Sequence, residues 1–463
     1  MKTGTDHVFR VDPEGTRLPI KLDSTSNGEF APVPLSPTNR AANRLAHEFA
    51  ASFSKKLNLP RRKFMVSACG AASTLLAFNK ANAAAGKTGG YFDLAAEAAL
   101  EPQLARLQVG PAKEEFIFDV QGHFIARPAG NPRGAETFVK DVFMDSDTDL
   151  MVLSFVPSTR ENEPVRIEEA DAVRRIVDRL EGTHRLLLHG RVNPNQPGDV
   201  EGMDELKQKW GVSAWKTYTQ YGPGRRGFFM TDEAGIRMVE KARALGVKVI
   251  CIHKGLPFGK QSYEHSQCSD IGPIARRFPD VRFLIYHSGF VSTEREEAYD
   301  AAANRDGIDT LISSLQKNGV APNSNVYPEL GSTWRFLLRD PEQAAHAIGK
   351  LLKYCGEDNL LWGTDSIWYG SPQDQIQAMR TFQISPELRA RHGYPEITPA
   401  LRAKIFGRNG ARVYGLDAKE IRKYTGRDRV ARERLAYQER PEPHFLTYGP
   451  KTRREFLRLP PHG

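Results

Sequence analysis

The segments VKVICIHKG (247–255), SDIGPIARRFPD (269–280) and VRFLIYHSG (281–289) decide the fold. Two apolar, β-branched runs flank a helical stretch that Pro279 stops. The first run holds His253 and the second His287, each close to a glycine. A strand, a helix and a second strand in so short a span form a βαβ unit, whose strands run parallel with a right-handed crossover.

The same alternation extends in both directions. Upstream lie EFIFDVQGH (115–123), TDLMVLSFVPS (148–158), RLLLHGRVNP (185–194) and VSAWKTYTQ (212–220). Downstream lie NVYPELGS (325–332) and NLLWGTDSIW (359–368). Amphipathic helices are predicted between them at 166–182, 231–246, 307–319 and 340–356, with a final helix pair at 398–415 broken near Gly407 and Gly410. Eight such strands predict a (β/α)8 TIM barrel over 115–417. A doubly wound open sheet is the competing α/β arrangement. The barrel is favoured because residues able to do chemistry recur at the carboxyl ends of many strands, and only a barrel gathers those ends on one face.

Charge is distributed unevenly along the 463 residues, which carry +9 overall. Residues 1–90 contribute +7 and 418–463 contribute +6, leaving −4 on the central region. The barrel therefore lacks the basic patch that phosphate-backbone binding requires, and no nucleic-acid partner is expected. The four cysteines form no CxxC pair, which argues against a disulfide framework. Cys251, inside an apolar strand, reads as core filler.

Outside the barrel, residues 1–60 are polar and without hydrophobic periodicity, and are expected to be disordered. Residues 61–90 run from Arg61-Arg62-Lys63-Phe64 through a short apolar stretch to Ala81-Asn82-Ala83. That order suits a twin-arginine export signal, hence a periplasmic or exported protein; a packed N-terminal helix in a cytoplasmic protein is the alternative. The apolar stretch is too short to span a bilayer stably, since a span needs about 20 residues. Residues 91–114 read as a linker and 418–463 as a basic C-terminal tail.

The chemistry-bearing residues are Asp119, Gln121 and His123 on strand 1, Lys216 on strand 4, His253 on strand 5, His287 on strand 6 and Asp365 on strand 8. Positions 119, 121 and 123 share one face of their strand. Two imidazoles and a carboxylate can hold Zn²⁺, Mn²⁺ or Fe²⁺ and leave positions for water. A single divalent ion, zinc first, is the expected cofactor, with His123, His253 and Asp365 as ligands.

The order D-x-Q-x-H, Lys, His, YHSG, GTD and FGRNGARVYGL resembles the amidohydrolase superfamily. More narrowly, it resembles the amidohydrolase-related branch that includes aminocarboxymuconate-semialdehyde decarboxylase. The resemblance spans roughly 115–417 and implies His123, His253 and Asp365 as metal ligands, with His287 touching metal-bound water or substrate. It places Lys216 where some relatives carry a carbamylated, metal-bridging lysine; a single metal without a bridge is expected here. The departure is Gln121, where the family has His or sometimes Glu. An amide oxygen is a weak transition-metal ligand, so Gln121 either coordinates weakly, holds a water or orients substrate.

Arg127, Tyr218, Tyr221, Arg225 and Trp368 follow strand ends and are candidate contacts for an anionic ring substrate; Arg226 lies beside them. His287, Asp365 and Lys216 are the expected catalytic groups, moving protons, guiding the water and stabilising a developing anion. The expected activity is hydrolysis of an ester, lactone or amide in a small cyclic substrate by metal-activated water. Non-oxidative decarboxylation of an aromatic or unsaturated ring acid uses the same parts. A barrel that binds a small molecule without turnover is the third reading. The short link between strands 1 and 2 (124–147) leaves little room for a capping subdomain. A homo-oligomer is compatible with the sequence.

Overall fold

Seven parallel strands form one curled sheet in sequence order: β1 (Phe118–Gly122), β2 (Leu150–Leu153), β3 (Leu186–Arg191), β4 (Ala214–Tyr218), β5 (Val249–His253), β6 (Arg282–Tyr286) and β7 (Val326–Pro328). They come from a computed structural model that describes residues 12–112, 115–126, 133–159, 162–179, 184–257 and 262–459. The eighth predicted strand is not regular. Isolated parallel bridges join Glu329 to Leu361 and Gly122 to Ser366, so segment 361–366 closes the barrel between β7 and β1. Asp365 there adopts a positive φ of 56° and donates its backbone N–H to Gln121 O at 3.0 Å. A Cβ at Gly363 would overlap the Glu329 carboxylate. This segment is shaped around side chains rather than around a ladder, which explains the shortfall from the predicted strand. The chain thus has the (β/α)8 architecture read from its sequence.

Alternate residues of each strand point into the barrel. Ala214, Val249, Cys251, Leu284 and Tyr286 pack together inside, with Tyr327 and Leu361. Their neighbours Trp215, Ile250, Ile252, Phe283 and Ile285 join the larger core beneath the outer helices. The pairing register places Tyr218, His253 and Tyr286 in one row across β4, β5 and β6. That row is the floor of the site.

A disordered extension is expected for 1–60; residues 1–11 lie outside the described residues, and residues 12–60 are packed on the barrel instead. Residues 18–30 form an ordered strap in which Leu18, Ile20, Leu22 and Phe30 are buried, each contributing roughly 1.5–3 kcal/mol of hydrophobic stabilisation. Its polar residues find partners on the barrel. Lys21 pairs with Asp374 at 3.3 Å, and Asp23 pairs with the buried Arg335. The strap leads into α1 (Pro37–Lys56), started by a reciprocal Ser36–Asn39 capping box with proline at its first position. α1 packs on α2 (Ala68–Ala84), whose Ala72, Leu75, Ala77 and Phe78 are buried. Residues 61–90, the segment that suits an export signal, contain helices Arg61–Met65 and Ala68–Ala84, and no described helix is long and apolar enough to cross a membrane.

The tail beyond 417 is also packed. Helices Ala418–Thr425 and Arg429–Glu439 follow the barrel. Arg185, fully buried, donates through Nη2 to Asp428 Oδ1 at 2.8 Å. Ser26 N–H donates to Pro450 O at 2.9 Å and Thr25 Oγ1 bonds Thr447 Oγ1 at 2.8 Å, so the strap and the tail meet. Polarity had suggested solvated ends; ion pairs and backbone pairing tie them down instead.

Candidate metal centre

His253 is the last residue of β5, and His287 follows β6 directly. Their rings lie 4.7 Å apart in an edge-to-face arrangement, and Tyr218 stacks on His253 at 4.9 Å. His287 holds a positive φ of 62° and the following Ser288 one of 54°, a conformation that costs about 1–2 kcal/mol per residue. The surroundings enforce it. His287 N–H donates to Glu329 Oε2 at 3.1 Å, and its carbonyl accepts from Thr333 Oγ1 at 2.9 Å. Backbone strain of this kind is concentrated where a side chain must be aimed.

The tautomer of His287 follows from its partners. Nδ1 lies 2.7 Å from the carbonyl oxygen of Gly331, an acceptor, so Nδ1 carries the proton and Nε2 carries the lone pair. Nε2 is buried and makes no hydrogen bond among the described residues. Burial pushes the pKa of His287 down to about 4 and holds His253 well below the usual imidazole range, and the nearby Lys216 charge adds to the depression of both. Neutral imidazoles are the form that binds metal.

Glu29, on the strap, faces both rings. Its Oε1 is 3.6 Å from His253 Nδ1 and its Oε2 is 3.5 Å from His287 Nε2. Glu29, His253 and His287 each offer one ligand atom, and these atoms lie within 4.8 Å of one another. Burial, with the nearby Asp365 charge, raises the Glu29 pKa well above the usual carboxylate range.

Asp365 and His123 form a second group beside the first. His123 Nε2 is 3.0 Å from Asp365 Oδ1, while His123 Nδ1 is 3.0 Å from Ser154 O. Both ring nitrogens face acceptors, and the Gln121 amide nitrogen lies 3.4 Å from Nε2. Asp365 also accepts from Gln121 Nε2 at 3.0 Å, Asn27 Nδ2 at 2.8 Å and Ser332 Oγ at 2.5 Å. Burial pushes the Asp365 carboxyl up, but the His123 hydrogen bond and charge and the Ser332 hydrogen bond outweigh it and hold it well below the carboxylate range. The structure thus pairs His123 with Asp365 and gathers His253 with His287 and Glu29, rather than uniting His123, His253 and Asp365 in one tight cluster.

Gln121 turns its amide nitrogen to Asp365, and its Oε1 has no hydrogen-bond partner among the described residues. Gly331 packs against that oxygen and against Glu329. Asp119 accepts from Gln121 N and Thr364 N at 3.0 and 3.1 Å and from Thr364 Oγ1. It stitches β1 to the eighth position, and burial pushes its pKa up to about 7. Lys216 is fully buried, its Nζ 3.7 Å from the Tyr286 ring centre and 4.5 Å from that of Tyr218. That Nζ makes no hydrogen bond among the described residues, and burial lowers its pKa to about 8.

The expected substrate contacts divide. Tyr218 is committed to the scaffold through its hydroxyl, which donates to Phe155 O at 2.7 Å. Trp368 stands 6.1 Å from the His123 ring, within the site. Tyr221 is buried in the loop after β4. Arg225 and its neighbour Arg226 are exposed on that loop, away from the buried imidazoles, because a Pro-Gly turn carries them outward. Arg127 lies outside the described residues. The sequence reading missed Glu29, Asn27, Ser332 and Glu329, whose carboxyl is buried and pushed up to about 8. Glu329 was visible as an acid ending an apolar strand; Glu29 had only the alternating Leu18-x-Ile20-x-Leu22 pattern to mark its segment as ordered.

A parallel barrel with imidazoles and carboxylates gathered at the carboxyl ends of its strands is an arrangement able to hold a divalent ion. The amidohydrolase family model matches residues 118–416, and the chain belongs to that family. No curated protein matches its sequence. Among solved structures, it is similar to an uncharacterised TIM-barrel protein from Bordetella bronchiseptica, at 13% identity over 65% of this chain and 98% of that one, with a TM-score of 0.43. It is also similar to 5-carboxyvanillate decarboxylase from Sphingomonas paucimobilis, at 13% identity over 65% and 99% of the chains and a TM-score of 0.39. A 2,6-dihydroxybenzoate decarboxylase matches at 13% identity, 65% and 100% coverage and a TM-score of 0.41.

Proposed function

We propose that the protein is a metal-dependent hydrolase of a small ester, lactone or cyclic amide. The observation that carries this reading is the pair of buried, neutral imidazoles of His253 and His287, the latter with a bare Nε2 lone pair, beside the anchored Asp365 carboxylate. Those two imidazoles fit one borderline divalent ion, zinc first and manganese or iron next, with Asp365 held against His123 alongside. Bound there, the ion would supply Lewis acidity and a water acidic enough to attack near neutral pH.

The chain's own residues supply the remainder. His253 and His287 hold the ion. Asp365 takes the proton of the attacking water while His123 passes its own Nε2 proton to the leaving atom. The net result is one proton moved from water to leaving group. Lys216, buried without a hydrogen-bond acceptor among the described residues, receives the negative charge that develops on the substrate oxygen. Trp368 offers a face to an unsaturated ring. Burial of every one of these groups excludes bulk water and strengthens each interaction.

The test is metal analysis of the purified chain followed by turnover on a panel of lactones, esters, cyclic amides and ring acids. About one ion per chain with metal-dependent hydrolysis is expected. Release of CO2 from ring acids without hydrolysis would reassign the chemistry to decarboxylation. Bound metal without any turnover would leave a binding barrel.

A further inference from the structure

We infer that Glu29, carried on the N-terminal strap outside the barrel domain, is a protein ligand of the divalent ion and completes a Glu29–His253–His287 site. This rests on the metal-dependent reading above and adds to it a ligand from beyond residues 118–416.

Three observations carry it. The first is spacing. Two ligand atoms bound to tetrahedral zinc at about 2.0–2.1 Å stand about 3.3 Å apart. Glu29 Oε1 lies 3.6 Å from His253 Nδ1 and Glu29 Oε2 3.5 Å from His287 Nε2, one carboxylate oxygen to each imidazole. Both contacts are near that edge and long for hydrogen bonds, and one ligand atom of each of the three residues lies within 4.8 Å of the others.

The second is the direction of the donors. His287 commits its only neutral-state proton to Gly331 O, so the lone pair of its Nε2 points at the Glu29 carboxylate. Two acceptors facing one another in a buried space repel unless a cation or a proton lies between them. Asn27 fixes the Glu29 carboxylate in that position. Glu29 Oε2 accepts from Asn27 Nδ2 at 2.5 Å, and Glu29 N–H donates to Asn27 Oδ1 at 2.9 Å.

The third is what β1 lacks. Gln121 offers only a neutral amide oxygen, and its amide nitrogen is engaged with Asp365. A weak neutral donor there leaves the ion short of negative charge. Glu29 restores one carboxylate from a different part of the chain, giving two imidazoles and one carboxylate with open positions for water and substrate.

The experiment uses the full-length chain loaded with Co²⁺. Wild type is expected to bind one ion, and Glu29→Gln to bind it at least tenfold more weakly while keeping the wild-type circular dichroism. Glu29→Cys is expected to bind Co²⁺ with a near-ultraviolet thiolate-to-cobalt charge-transfer band, which appears only if the side chain at this position touches the metal. Equal affinity in wild type and Glu29→Gln, or cobalt bound by Glu29→Cys without that band, would overturn the assignment while leaving metal dependence standing. A wild-type chain that binds no metal would overturn both.

Discussion

The amide of Asn27 donates to Asp365 Oδ2 at 2.8 Å, joining residues 338 positions apart. The same nitrogen reaches Glu29 Oε2 at 2.5 Å. One side chain therefore sets the separation of the buried Asp365 carboxylate and the partly exposed Glu29 carboxylate. Asn27→Asp replaces that shared donor by a third acid. It is expected to lower stability by about 1–3 kcal/mol, the cost of leaving buried acceptors unsatisfied. Asn27→Ala should weaken metal retention with a smaller loss of stability. Urea denaturation and metal titration of the two variants decide it.

Asp365 is the acceptor for four side chains, so its removal orphans several donors at once. Asp365→Ala is expected to destabilise the fold by roughly 2–4 kcal/mol as well as abolish turnover. Asp365→Asn keeps the shape and should lose turnover with less loss of stability. A thermal midpoint for the alanine variant equal to wild type would show that these hydrogen bonds contribute nothing net.

Gln121→His places an imidazole beside Asp365 and the ion. Tighter metal retention is the expected outcome, with lower turnover because an open position is filled. Gln121→Ala should raise KM with little change in metal content if the amide serves substrate instead. Metal titration of wild type and both variants separates the two, and equal affinity in all three assigns Gln121 to the substrate side.

Asp12 offers a prediction on pH. It accepts from Thr16 N and Thr16 Oγ1, both at 2.8 Å, and from Arg17 N at 3.0 Å, and it pairs with His47 at 3.2 Å. Burial opposes ionisation, but these partners outweigh it and lower the pKa to about 2. A carboxylate depressed in the folded state stabilises it above the unfolded pKa near 4 and loses that contribution as pH falls towards 2. The contribution is roughly 2 kcal/mol at neutral pH. Asp12→Asn should lower the urea midpoint at pH 7, and the difference from wild type should vanish by about pH 2.

Residues 61–90 bear on location. Cleavage after Ala83, as an export signal would suffer, would remove Glu29, the strap and both packed helices. We therefore expect the mature, metal-loaded protein to retain these residues, whichever compartment holds it. Intact mass of protein purified from its source checks this. A mature chain that starts beyond Ala83 and still binds metal would make the strap dispensable.

The barrel was legible because its strands are continuous apolar runs punctuated by capped helices, and that signal is local. His123, His253, His287 and Asp365 were legible because the strand ends placing them could be counted. Their grouping was not, since it depends on ring directions set by Ser154 O, Gly331 O and a left-handed backbone at His287. The strap was illegible for a different reason. Its polar residues suggest solvent, yet Lys21, Asp23 and Asn27 are satisfied by Asp374, Arg335 and Asp365, partners more than 300 positions away. The eighth strand was over-read because nothing in its apolar run announces that Gly363 must pass the Glu329 carboxylate.

The meeting of Ser26 with Pro450, and of Thr25 with Thr447, has a consequence for biosynthesis. Residues 25 and 26 gain these two partners only once residues 447–450 have left the ribosome. Until then the strap that carries Glu29 lacks two of the contacts that hold it against the barrel.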